Sequence, residues 1–168
     1  MTDMARPSDW EAPVEIPDVD TGLQKILVPF DGSKAAERAL GYAAAFARQS
    51  GGEIVVVVAY DPPITVRRRG GITLDGLRSE MEEEAHDLAS ESAGLLTERG
   101  LRARAIVVRG DVAGAILDTI DEEAADIIIL GRSGLTSEAR GEDRKHWGSG
   151  SVTDKIVRNA TISVMVVD

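Results

Sequence analysis

Five short apolar runs, set apart by longer stretches that can form helices, constrain this chain more than any other feature. They are Ile26-Leu27-Val28-Pro29-Phe30, Ile54 to Tyr60, Ala105-Ile106-Val107-Val108, Ile127-Ile128-Ile129-Leu130 and Ile162-Ser163-Val164-Met165-Val166-Val167. The central runs are continuous rather than alternating, which is the pattern of strands buried on both faces of a parallel sheet. The fifth alternates slightly more, so an edge position is expected for it.

The intervening stretches read as helices. Ser33 is placed to cap one that runs to about Ser50, with Ala36, Ala39, Leu40, Ala43, Phe46 and Ala47 on one face and Gly51-Gly52 as its stop. A second covers about Leu74 to Arg99, with Leu74, Leu77, Met81, Ala85, Leu88 and Leu95 inward and Gly100 as its stop. Its outer face carries Glu80, Glu82, Glu83, Glu84, His86, Asp87 and Glu91 and reads as a solvated surface. A third spans about Val112–Glu123, and a fourth starts near Ser151 and ends near Asn159. Strand–helix alternation of this kind specifies an α/β domain with a mostly parallel sheet and right-handed crossovers.

Composition narrows the function. The chain has 168 residues, which points to one domain. Residues 1–22 are rich in Pro and carboxylates and poor in apolar side chains. They read as an extension from a domain at 23–168, with Trp10 as the one residue able to dock. The net charge of −10 argues against nucleic acid and anionic membranes as partners. There is no Cys, which excludes a disulfide scaffold, a thiolate zinc site and thiol catalysis. No run approaches the ~20 residues of a membrane span, and the first ten residues lack an apolar signal region. A cytoplasmic location is expected.

In open α/β sheets, ligands bind beyond the carboxyl ends of the strands, where strand order reverses. The residues there are Asp31-Gly32-Ser33, Asp61-Pro62-Pro63, Gly110-Asp111 and Gly131-Arg132-Ser133-Gly134. Gly148-Ser149-Gly150-Ser151-Val152-Thr153 precedes the last helix. Glycines there admit a close backbone approach, and a helix N-terminus with hydroxyls favours an anion. The phosphate-loop pattern Gly-x4-Gly-Lys-Ser/Thr is absent, as is Gly-x-Gly-x-x-Gly after the first strand.

With these motifs in place, the chain resembles the universal stress protein family. The resemblance rests on Lys25 to Ser33, the strand Glu53–Tyr60, Val107 to Gly110, Ala125 to Gly134, Gly150 to Val157 and the tail Ile162–Val167. It implies a Rossmann-like, five-stranded parallel sheet in the order 3-2-1-4-5 with helices on both faces. It also implies ATP binding with Mg²⁺, with AMP or cyclic AMP as alternatives, and a homodimer formed through the strand Ile162–Val167. By position, Pro29, Asp31 and Ala59 would line an adenosine pocket. Gly131, Arg132, Ser133 and Gly134 would pass beneath ribose and phosphates. Gly150, Ser151, Val152 and Thr153 would meet the phosphate chain.

One departure stands out. The family pattern has nine residues between the second and third glycines, but 15 separate Gly134 from Gly150 here. An insertion therefore lies within Thr136–Trp147. Arg67, Arg68 and Arg69 in one loop, and Arg132, Arg140, Arg144 and Lys145 in another, either neutralise a triphosphate or are solvated loop charges. Asp31 suits a water-mediated Mg²⁺ contact, a helix-capping role or a ribose contact. His86 and His146 belong to no acid–base set, and none is evident elsewhere. The expected function is an ATP-dependent regulatory dimer that signals to a protein partner. The alternatives are a nucleotide-free interaction dimer of the same fold and, third, a slow ATPase or nucleotidyl transferase.

Overall fold

The computed structural model describes residues 22–63, 73–134 and 151–168. In chain order the elements are β1 (Lys25–Pro29), α1 (Lys34–Ser50), β2 (Glu53–Tyr60), α2 (Leu74–Thr97), β3 (Ala103–Arg109), α3 (Val112–Glu123), β4 (Ile127–Gly131), α4 (Ser151–Asn159) and β5 (Ser163–Val167). The five strands are all parallel in the order β3-β2-β1-β4-β5. That is the expected sheet. The segments 1–21, 64–72 and 135–150 lie outside the described residues, and with them Trp10, Arg67, Arg68, Arg69, His146, Gly148, Ser149 and Gly150.

Strand periodicity divides the core in two. Ile26, Val28, Ile54, Val56 and Ile129 point to the face covered by α1 and α2. Leu27, Val55, Val57, Ile128 and Leu130 point to the face covered by α3 and α4, where they meet Ile116, Ile120 and Ile156. The three central strands are thus apolar on both sides, which is why their sequences run without alternation. β3 is the other edge and is only partly buried along its length.

Local signals set the helix ends. The Ser33 hydroxyl accepts from the Ala36 amide at 3.1 Å, and Gly51 closes α1 in the left-handed conformation at φ 71°. Asp111 caps α3 through the Gly114 amide. α2 ends at Thr97, two residues short of the expected Arg99. Its buried stripe is Ala85, Ala89, Ser92 and Leu96, and Leu95 is 48% exposed. Leu95 and Leu96 lie about 100° apart around the helix, so only one of them can face the sheet, and Leu96 does.

At the amino ends of the strands an ion-pair cluster joins four elements. Lys25 Nζ lies 3.1 Å from Glu123 Oε2, and Arg104 Nε lies 3.1 Å from Glu53 Oε1. Arg104 Nη2 also donates to Glu123. Asp126 accepts from the amides of Gln24 and Lys25, both at 2.8 Å, which fixes the entry of the chain into β1. The hydrogen bond from Arg104, reinforced by Lys25, holds the Glu123 carboxyl below the usual glutamate range. A depressed carboxyl stabilises the fold above its unfolded pKa, about 4.3, and loses that contribution as pH falls through the folded value. We expect Glu123→Gln to lower stability by about 1 kcal/mol at pH 7, as for a partly exposed network. Urea unfolding at a series of pH values should show the difference between the two chains closing below about pH 4.

Candidate functional site

β1 and β4 are neighbours, yet the chain leaves them for opposite faces of the sheet. β1 leads into α1 on one face, and the segment after β4 leads to α4 on the other. A crevice opens between the two exits. It is a cleft of about 290 Å³ lined by Pro29, Phe30, Asp31, Ser33, Ala36, Val57, Ala59, Val112, Ile116, Leu130, Gly131, Ser133, Gly134, Val152, Thr153 and Ile156. Its floor is apolar side chains from β2, β4, α3 and α4, and its rim is loop backbone with short polar groups.

Eight residues proposed from the sequence meet in this cleft: Pro29, Asp31, Ala59, Gly131, Ser133, Gly134, Val152 and Thr153. Arg132 does not line it. Its amide donates to the Val167 carbonyl at 2.7 Å, and its guanidinium lies 3.8 Å from Asp168, beyond the end of β5. Gly150 lies outside the described residues, and Ser151 opens α4.

The polar groups of the rim are tied to one another. Asp31 Oδ1 accepts from the Ser33 amide at 3.0 Å. The buried Ser33 hydroxyl, besides capping α1, lies 3.5 Å from the Ser133 carbonyl and so links the β1–α1 loop to the β4 loop. Thr153 Oγ1 donates to the Gly131 carbonyl at 2.9 Å, so its proton is directed at β4 and its lone pairs remain for a donor. Sequence reasoning placed Ser33 in the loop after the first strand without assigning it to the site, and it missed Phe30, Ala36, Val57, Val112, Ile116, Leu130 and Ile156 as lining residues. The available signal was the i, i+4 pair Val112 and Ile116 at the start of α3, which places two apolar groups at the carboxyl end of the sheet.

The two glycines of the β4 loop differ in what they make room for. A Cβ at Gly131 would stand 2.7 Å from Ala35 Cβ, 2.9 Å from the Ala35 carbonyl carbon and 3.0 Å from the Ala36 amide nitrogen. The first turn of α1 therefore packs directly on the end of β4. A Cβ at Gly134 would meet only the tip of Asp31, with Oδ2 at 2.6 Å, and that side chain can rotate. Among the described residues no three His, Asp or Glu side chains gather as a metal site, and no helix is long and apolar enough to cross a membrane.

Comparison with known proteins agrees with this geometry. The model of the universal stress protein family matches residues 22–168. A Thermus aquaticus protein, the universal stress protein in the QAH/OAS sulfhydrylase 3′ region, is 31% identical over 154 residues, covering 86% of this chain and 98% of its own. The solved structure of MJ0577 superposes with a TM-score of 0.70 at 25% identity, covering 86% of this chain and 95% of that one. That protein is a universal stress protein of Methanocaldococcus jannaschii. A universal stress protein from Archaeoglobus fulgidus, solved in complex with dAMP, superposes with a TM-score of 0.63 at 25% identity, covering 86% and 98% of the two chains. The chain belongs to the universal stress protein family.

The packing at Gly131 generates a prediction. Gly131→Ala forces the first turn of α1 off β4, and we expect a loss of about 2 kcal/mol, as for overpacking. Gly134→Ala should stay within about 0.5 kcal/mol of the parent, because only a side-chain tip must move. Chemical denaturation of the two variants side by side checks the contrast.

Proposed function

We propose that the cleft binds an adenine nucleotide, ATP with Mg²⁺, and that the protein is a dimeric regulatory, stress-response protein whose nucleotide state is read by a protein partner. The observation that carries the reading is the composition of the cleft. An apolar floor suited to a base and ribose ends in a strip of glycine backbone and the start of a helix, where phosphate is favoured. The complex of the Archaeoglobus fulgidus relative with dAMP supports an adenine ligand. Among the described residues Asp31 is the carboxylate that lines the cleft. Mg²⁺ takes one or two carboxylates together with substrate phosphates, so Asp31 fits that role. The metal would neutralise phosphate charge, while Ser33 and Ser133 keep the two walls together.

AMP and cyclic AMP are the alternative ligands. A cleft of about 290 Å³ lies at the small end of ligand sites and suits a mononucleotide better than anything larger. A second reading, an interaction dimer without nucleotide, is favoured by the 15 residues between Gly134 and Gly150. Calorimetric titration of nucleotide-free protein with ATP and Mg²⁺, AMP, cyclic AMP and adenosine separates these. We expect saturable binding of ATP, weakened roughly tenfold or more, about 1.4 kcal/mol, by Ala59→Leu, which fills the floor of the cleft. Heat from AMP or cyclic AMP but not ATP would assign the shorter ligands. No heat from any of the four would leave the interaction dimer.

The dimer is proposed through β5. This strand pairs with β4 on one side only, and Val166 is 41% exposed. An apolar edge strand is a pairing surface unless it is covered. In sedimentation equilibrium the parent should be a dimer, and Val166→Lys should shift it to monomer. An unchanged mass would place the contact elsewhere.

A further inference from the structure

α2 carries two rows of side chains suited to burial, and the sheet takes only one. Ala85, Ala89, Ser92 and Leu96 are buried on the side that meets β2 and β3. The larger side chains Leu74, Met81, Leu88 and Leu95 stand seven residues apart, and none of the four is buried. Seven residues is close to two helical turns, so they form one straight row of about 32 Å. Beside it, α1 and α2 cover the same face of the sheet without closing on each other. A groove of about 390 Å³ remains between them, with Leu40 on its α1 side and Leu88 and Leu95 on its α2 side. Phe30 is a wall of both this groove and the nucleotide cleft.

Charge selects the occupant. Glu84, Glu91 and Glu98 follow Met81, Leu88 and Leu95 by three residues each, so a row of carboxylates runs alongside the apolar row. Glu91 lines the groove, and Glu98 keeps the right-handed helical conformation at φ −59°. None of the three is in an ion pair among the described residues. On the α1 side Glu37 lines the groove and is held by Lys34 at 2.7 Å. Arg99, past the end of α2, is the one cation on the described lining. Where two helices pair through an apolar row of seven-residue spacing, the charges that flank the row choose the partner. A flank of glutamates selects lysine or arginine on the incoming helix and opposes an acidic one. A second copy offering its own α2 would set glutamate against glutamate.

We infer that this row and groove are the docking surface for a basic amphipathic helix of a partner protein. Its apolar side chains seat on Met81, Leu88 and Leu95, and its lysines or arginines meet Glu84, Glu91 and Glu98. This is a place for the protein partner proposed above, and only its regulatory purpose rests on that reading. Docking needs no nucleotide, so it is measured on nucleotide-free protein, and its failure leaves the reading of the cleft untouched.

The probe is a labelled peptide of three heptads with Leu at the a and d positions and Lys at e and g. Two control peptides carry Glu in place of those Lys, or the residues of the probe in scrambled order. In fluorescence anisotropy at physiological salt, the Lys peptide should bind saturably and roughly tenfold or more tighter than either control. Leu95→Lys should weaken it by about tenfold or more. Glu84→Lys, Glu91→Lys and Glu98→Lys together should exchange the preference, so that the Glu peptide becomes the better ligand. All four positions are exposed, so native circular dichroism is expected in both variants. No saturable binding of the Lys peptide would overturn the inference. Equal binding of the ordered and scrambled peptides would reduce it to attraction by net charge and overturn it too. So would an affinity unchanged by Leu95→Lys, a preference that does not exchange, or binding lost as protein concentration rises, which a second copy seated in the groove would give.

Discussion

The first turn of α1 rests on the end of β4 with only the Ala35 methyl between them. Gly131, having no Cβ, leaves the room, and the Ala35 methyl and the Ala35–Ala36 backbone fill it. This close approach holds α1 against the central strands and fixes where its N-terminus points. It also sets the distance between the β1 and β4 loops, and so the width of the cleft. Thr153 repeats the device from the other face, anchoring α4 to the Gly131 carbonyl. One backbone position is therefore gripped by helices from both layers.

The two ends of the sheet are held by different forces. At the amino end, Lys25, Glu53, Arg104 and Glu123 form charged contacts, and the Asp126 carboxylate satisfies two backbone amides. At the carboxyl end the cleft itself is held by neutral contacts (a serine cap, a threonine hydroxyl, close-packed glycine), with the ion pairs Arg132–Asp168 and Lys155–Asp111 at its margin. The apolar floor of Val57, Val112 and Ile116 lowers the local dielectric in the cleft, which would strengthen the polar contacts of the nucleotide proposed for it. The scaffold is rigid where its parts are buried, and the loops that carry the site hang from it.

Much of the fold was legible because its signals are local. α3 and α4 begin and end where the caps and apolar spacing place them, and α1 stops at the left-handed Gly51. The misreadings have physical causes. Leu95 carries the right residue type at helical spacing, but the sheet accepts only one of two adjacent leucines. β3 is no misreading: it lies at the edge where the implied order 3-2-1-4-5 puts it, and no described strand pairs with its outer side. In the site, Arg132 sits between two cleft residues in sequence and still points the other way, because a strand end alternates its side chains and Asp168 lies on that side.

What the sequence determined alone is the set of elements and their class. Continuous β-branched runs can satisfy their burial only between two helical layers, so an open parallel sheet follows from periodicity. The motif glycines mark the loops at its carboxyl edge. Tertiary structure decided what each glycine is for and which side chains share a cavity. Gly131 is a packing contact and Gly134 borders Asp31, a difference set by residues roughly a hundred positions away. The same holds for the charge cluster at Glu123 and for the groove beside Leu95. Each depends on elements distant in sequence that only the strand order brings together.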